Sequence, residues 1–253
     1  MKIIACCKVV PNEEEIKVLP NRELSMDAAS LKISQYDLNA MESGKQLAAE
    51  TGGSMTALSI GASAALENTK IRKDILSRGA SELSLVIDDA HDYSDSLQTA
   101  KALAGALKET EYDVVLCGAG SSDLYNQEVG IQAGAILGIP VVNNITGIKA
   151  VSDSILEVER TLEDEVEVLE VPLPALLSVS SEINTPAVPS MREIMKAGKK
   201  PVHVLSAPEE LNPSTSTLEQ LAPEQMDRRQ EVVEGDGEEA VDALIAFLRK
   251  EGF

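Results

Sequence analysis

Aromatic residues are nearly missing from this chain: no tryptophan, two phenylalanines and four tyrosines in 253 residues. Hydrophobic residues still make up 43%, so the interior has to be built from Val, Ile, Leu and Ala. Long apolar runs are missing as well, and no stretch approaches the ~20 residues of a membrane-spanning helix. Positive charge is scarce, with 22 Lys and Arg against 42 Asp and Glu and a net charge of −20. Such a chain is repelled by nucleic-acid phosphates and by anionic lipid, which argues against both partners. Of three cysteines, Cys6 and Cys7 are adjacent, and all three including Cys117 lie in apolar runs. Cysteine there behaves as a small buried hydrophobe, and with no disulfide framework the expected compartment is reducing, hence cytoplasmic. The opening MKIIACCKVV is too short for a secretory signal, and the acidic NEEE after it is not a cleavage region.

Catalytic motifs are also missing. His91 and His203 are the only histidines, and neither belongs to a metal-ligand motif. CxxC, HExxH and GxSxG do not occur, and no carboxylate pair stands out as an acid and its base. No catalytic residue and no metal ligand is expected, so any redox chemistry has to come from a bound cofactor.

What is present is a rhythm. Residues 2–10, 55–60, 83–87, 113–117 and 140–142 are short apolar runs that read as strands, with a further short strand at 16–19 and a polar loop over 20–34. Between them, residues 36–50, 62–77, 94–108 and 125–137 carry helical patterns, punctuated by Gly52 and Gly79. This alternation predicts a parallel, doubly wound α/β sheet. The runs are continuous rather than alternating, as required when both faces of a sheet are buried. Near Asn144 the pattern changes. Residues 148–151, 155–161 and 165–171 alternate with period two around turns at 153–154 and 163–164, predicting an antiparallel hairpin insertion over 144–171. A buried strand follows at 175–179, then an irregular stretch over 181–200. Residues 206–230 are too rich in Ser, Thr, Pro, Glu and Gln to fold alone, and 238–250 form an amphipathic helix. The expected organisation is one α/β nucleotide-binding domain over 1–205 and a C-terminal arm over 206–253 that packs on another subunit.

The loop Gly118-Ala119-Gly120-Ser121-Ser122-Asp123 lies between a strand and a helix, at the carboxyl edge of the sheet. Glycines allow close approach of a phosphate, and hydroxyls and free amides complete an anion site. The same six residues would also make an ordinary turn capped by Asp123. Ile60-Gly61 and the segment from Cys6 end two other strands, and three strand ends can share one pocket. Lys196, Lys199 and Lys200 form a basic group in an acidic chain, read as a solvated turn or a partner contact.

The string VERTLEDEVEVL at 158–169, followed by PALLS at 174–178, is similar to the signature of electron-transfer flavoprotein beta subunits. CCKVVP at 6–11 and SMREIMKAGKK at 190–200 agree with it, and the resemblance covers essentially the whole chain. KISQYDLNA at 32–40 and SSDLY at 121–125 look like the Fix-type branch, which serves nitrogen fixation in some bacteria and carnitine reduction in others, the latter being closer.

The resemblance implies a Rossmann-like, adenine-nucleotide-binding fold and a heterodimer with an alpha subunit that carries most of the redox-active FAD. It implies a second nucleotide on this chain, AMP in the common branch or FAD in the electron-bifurcating, NADH-oxidising branch. The matching positions are Cys6, Lys8, Ser34, Tyr36, Asp37, Ile60, Gly61, Gly118, Gly120, Ser121, Ser122, Asp123, Asn126, Gln127, Glu128 and Val129. Tyr36 matches an aromatic that approaches the alpha-subunit flavin. Residues 183–198 match a loop that docks on acyl-CoA dehydrogenases, with Met191 and Ile194 as its apolar contacts, although Met191 could equally pack within the chain. The expected role is an electron carrier between a donor and a reductase or acyl-CoA-type acceptor. The loop after Gly118 is one residue shorter than in most relatives, with Ala119 where many carry a base, which leaves AMP and FAD both open. The reading from another class is a stand-alone adenine-nucleotide-binding regulatory protein, for which an arm at 206–253 has no use.

Overall fold

The computed structural model describes residues 1–89, 95–206, 215, 217–224, 232–235 and 237–253. His91 and, within the expected 206–253 arm, residues 207–214, 216, 225–231 and 236 lie outside the described residues. In chain order the strands are β1 (Lys2–Cys6), β2 (Val9–Pro11), β3 (Lys17–Val18), β4 (Leu24–Ser25), β5 (Leu31–Ile33), β6 (Ser54–Gly61), β7 (Glu82–Ile87), β8 (Val114–Gly118), β9 (Val141–Ile145), β10 (Gly147–Ser152), β11 (Ile155–Thr161), β12 (Val166–Pro172), β13 (Ala175–Val179) and β14 (Val202–Leu205). The helices are α1 (Gln35–Thr51), α2 (Ser63–Leu66), α3 (Thr69–Ser77), α4 (Ser96–Lys108), α5 (Val129–Leu137), α6 (Met191–Ala197) and α7 (Glu238–Glu251).

Seven strands form one sheet in the order β14-β7-β6-β1-β8-β13-β9, and every neighbouring pair is parallel. The central strands β8 and β13 are covered on both faces, which is why they are almost wholly apolar, whereas the edge strand β14 is largely exposed. Along β1, Ile3 and Ala5 join the cluster that includes Met41, Leu47, Ile71 and Ile75 of α1 and α3. Ile4 and the half-buried Cys6 face the opposite cluster, with Leu103 and Leu107 of α4 and Ala133 of α5. The same alternation divides Val114 and Leu116 from Val115 and Cys117 in β8. Among the described residues, the buried apolar side chains include no aromatic.

Strand order turns back on itself between β1 and β8. From β1 the chain builds outward through β6 and β7, then returns to place β8 on β1's free side. In open α/β sheets this reversal leaves a crevice at the carboxyl ends of the two strands.

Several expectations change in detail. The segment read as a polar loop over 20–34 contains β4 and β5, which pair with β3 and β2. The single helix expected over 62–77 is two, because Asn68 is an N-cap whose Oδ1 accepts from the N–H groups of Lys70 and Ile71. The helix expected from Tyr125 begins at Val129, since Tyr125 and Gln127 have positive φ. The irregular stretch over 181–200 contains α6, started by a capping box in which Ser190 and Glu193 satisfy each other's backbone N–H. Lys200 is not a solvated turn residue: its Nζ donates to the carbonyls of Leu76 and Ala80, at 2.8 and 2.6 Å, and closes the end of α3.

The insertion is a three-stranded antiparallel sheet, β10-β11-β12, held against the core by Leu156, Val158 and Val171. Arg160 and Glu167 pair across β11 and β12, with Nε 2.9 Å from Oε2. No helix among the described residues is long and apolar enough to cross a membrane. Helix α7 buries none of its residues, although Val241, Leu244, Ile245 and Leu248 form an apolar stripe. Two substitutions separate these environments. Leu116→Ala, at the centre of β8, should cost ~2–5 kcal/mol in urea unfolding of the isolated chain. Leu244→Ala on α7 should change it by less than ~0.5 kcal/mol, because that side chain is already in water.

Candidate functional site

At the crevice the organising group is Asp37, in the first turn of α1. Its carboxylate accepts the backbone N–H of Lys8, just past β1, at 2.8 Å, and that of Gly118, at the end of β8, at 3.1 Å. One side chain thus joins the carboxyl ends of the two strands between which the order reverses. The approach is so close that Gly118 admits no side chain: a Cβ there would lie 2.7 Å from Asp37 Oδ1 and 2.8 Å from Tyr36 Cβ. Ser34, fully buried just before α1, accepts the N–H of Ser122 at 3.2 Å and so fixes the loop after β8 to the same helix end.

That loop runs from Ala119 to Glu128. Ala119 N–H bonds Val179 O, which ties the start of the loop to β13. Further along, Lys8 Nζ reaches Asp123 Oδ2 at 2.6 Å, bridging β1 and the loop across the crevice. Gly120 leaves room for the ring of Tyr125, which a Cβ would meet at 2.6 Å. Tyr125 in turn packs on Tyr36, with ring centroids 5.0 Å apart.

The cavity between these elements is lined by Cys6, Lys8, Asp37, Ile60, Gly118, Gly120, Ser121, Asn126, Gln127, Glu128 and Val129, all of them candidate residues from the sequence. Three strand ends therefore do meet at one hollow. Ser34, Gly61, Ser122 and Asp123 do not line it: Ser34, Ser122 and Asp123 hold the loop, and Gly61 packs near Leu66. Tyr36 faces a separate polar depression with Tyr125, Asn144, Thr146, Thr161 and Glu182. Sequence reasoning missed the cavity's far wall, made by Leu58, Ser96, Thr99, Leu103, Ile131 and Ser178. Ser96 and Thr99 lie one turn apart at the start of α4, a carboxyl-edge helix end that the strand–helix rhythm does locate.

Titration separates the polar and apolar walls. Burial pushes the Asp37 carboxyl up to about 7, against the opposing pull of the Lys8 and Gly118 N–H groups. For Asp123, burial alone would raise the value, but hydrogen bonds from Lys8 and Ser121 outweigh it and hold the group below the usual range. The Cys6 thiol is raised, first by its hydrogen bond with Cys117 and then by burial, and burial raises Cys7 as well. The thiols beside the cavity are thus neutral wall rather than nucleophile.

Met191 and Ile194 lie far along the chain on α6, whose one buried residue is Ala197. Met191 is 74% exposed, so its intramolecular packing is ruled out, and Met195 and Val188 are exposed beside it.

A raised carboxyl means that the folded protein binds a proton more tightly than the unfolded chain. Asp37 therefore favours folding most when protonated, and its contribution is lost as pH rises from about 4 through about 7, at up to about 1.4 kcal/mol per unit. Carboxyl NMR should show Asp37 titrating near 7. Against Asp37→Asn, which has no such titration, the wild-type unfolding free energy should fall across this window; a carboxyl that titrates near 4 would contradict the assignment.

A model of the family described as the electron transfer flavoprotein domain matches residues 24–210. That span is nearly three quarters of the chain and takes in Asp37, the loop from Gly118 to Val129 and the inserted sheet, though not Cys6 or Lys8. By sequence and by fold, this chain belongs to the electron transfer flavoprotein family.

Proposed function

We propose that this chain is the beta subunit of a heterodimeric electron-transfer flavoprotein and holds an adenine nucleotide, AMP or a second FAD, in the cavity beneath the 119–128 loop. The observation that carries this is the convergence on one hollow of the ends of β1, β6 and β8, joined by Asp37. The walls suit such a ligand. Leu58, Ile60, Leu103 and Val129 offer the apolar surface that an adenine ring stacks on. Gly120 and Ser121 bring backbone to the rim, where phosphate is received by N–H groups and hydroxyls. When bound, flavin supplies the electron-carrying chemistry, and no side chain of the cavity is placed to replace it.

In this reading the redox-active FAD sits mainly on an alpha subunit. The Tyr36–Tyr125 pair faces it from the polar depression beside the cavity, and the apolar stripe of α7 packs on that subunit. Val188, Met191, Ile194 and Met195 form the docking surface for an acyl-CoA dehydrogenase-like or reductase partner, held out on the capped helix α6. A cytoplasmic carrier of the Fix type, acting in carnitine reduction, fits the strings KISQYDLNA and SSDLY.

Denaturing extraction of the heterodimer, followed by chromatography, tests the reading. One FAD with one AMP per heterodimer marks a simple carrier, two FAD and no AMP mark a bifurcating one, and no flavin under any loading condition overturns the proposal. Met191→Glu should slow electron transfer to the docking partner roughly tenfold, as for an exposed interface anchor, while flavin content and thermal stability stay at wild-type values. Equal rates would remove α6 from the interface.

A further inference from the structure

The charges around the cavity are unusual for a site that receives phosphate. Among the described residues that line it, Lys8 is the one cation, and the carboxylic acids are Asp37 and Glu128. Lys8 is already engaged, with its Nζ 2.6 Å from Asp123 Oδ2 and both side chains about two-thirds buried. Glu128 is held in place too, accepting from Ser96 Oγ at 2.7 Å and from Gln132 Nε2 at 3.2 Å. Asp123 does not depend on Lys8 alone for its position: its Oδ1 accepts the Leu124 N–H at 2.8 Å. Lys8 is likewise fixed at its backbone, whose N–H is given to Asp37.

We propose that the Lys8–Asp123 ion pair is the charge-selectivity element of the cavity: Asp123 competes with an incoming phosphate for the single ammonium, so that the site reads the nucleoside more strongly than its phosphate charge. The proposal rests on the cavity being the adenine-nucleotide site. A phosphate arriving at Lys8 exchanges one anionic partner for another instead of gaining a free cation, and it meets the field of Asp123 at short range. The net electrostatic gain from the phosphate is therefore small, and specificity falls to the apolar walls and the backbone N–H groups. The pair is also a fastener, since it spans from β1 to the 119–128 loop, and a ligand that takes Lys8 loosens that tie.

The test compares adenosine with AMP on the full-length chain freed of copurified nucleotide, using equilibrium dialysis at two salt concentrations. Asp123→Asn can keep its Oδ1 as acceptor for the Leu124 N–H, and it replaces the anionic oxygen that receives Lys8 with a neutral amide. It should raise the affinity for AMP roughly tenfold, leave adenosine unchanged, and make AMP binding fall with added salt where the wild type barely responds. Lys8→Met should reduce AMP to the affinity of adenosine or below it. If both ligands bind and the AMP-to-adenosine ratio is the same in wild type and Asp123→Asn, the ion pair is only a fastener and the proposal fails. If neither ligand binds the wild type or either variant, the cavity is not an adenine-nucleotide site, and the proposal falls together with that reading.

Discussion

Asp37 is a carboxylic acid held out of water, and the two backbone N–H groups it accepts come from the ends of adjacent parallel strands. Those N–H groups lie past the last pair of the β1–β8 ladder, Ala5 with Leu116. A buried unpaired N–H is costly, so the position calls for an acceptor, and helix α1 delivers one from its first turn. The cost of burying the carboxyl appears in its raised titration. In return the start of α1, the end of β1 and the loop after β8 become one rigid corner. Gly118 follows from the same constraint, since no other residue lets Asp37 and Tyr36 come so close.

The cavity is a by-product of this corner. The sheet splits its apolar residues between two faces, and α4 and α5 cover the face beneath the crevice. The loop cannot follow the strand into a helix at once: Tyr125 and Gln127 take the left-handed conformation and delay α5 to Val129. The hollow lies between that detour and the ends of β1 and β6, with a sheet-side wall of aliphatic and thiol groups and a rim of backbone and hydroxyls. The match to the electron transfer flavoprotein domain takes in the loop and the helix end that shape this hollow. Among the described residues, the Met191 and Met195 side chains on α6 and the apolar stripe of α7 are exposed.

Much of the layout was legible because both sheet faces are buried, which turns strands such as β8 and β13 into continuous apolar runs. The inserted sheet was legible for the opposite reason: with one face in water, β11 and β12 alternate. The misreadings have local causes. Asn68 capped α3 inside a run that reads as one helix, and the capping box of Ser190 and Glu193 was hidden among prolines. The left-handed residues that delay the start of α5, Tyr125 and Gln127, are neither glycine nor asparagine, so composition gives no sign of them. Lys200 looked solvated because a chain cannot announce that two carbonyls at the end of a distant helix lack partners.

By itself the sequence determined the class of fold, the aliphatic core, the weak case for nucleic acid or membrane, and the strand ends where a ligand belongs. These follow from periodicity and composition, which act over a few residues. Only the tertiary structure decided which of the candidate residues line the cavity and which hold its loop, since that depends on strands far apart in the chain being brought side by side, as Lys2 is with Ser54 and Ile3 with Val114. It also decided that Lys8 faces Asp123 and that Asp37 sits dry. Charge and burial are properties of neighbours in space, and a sequence lists neighbours only along the chain.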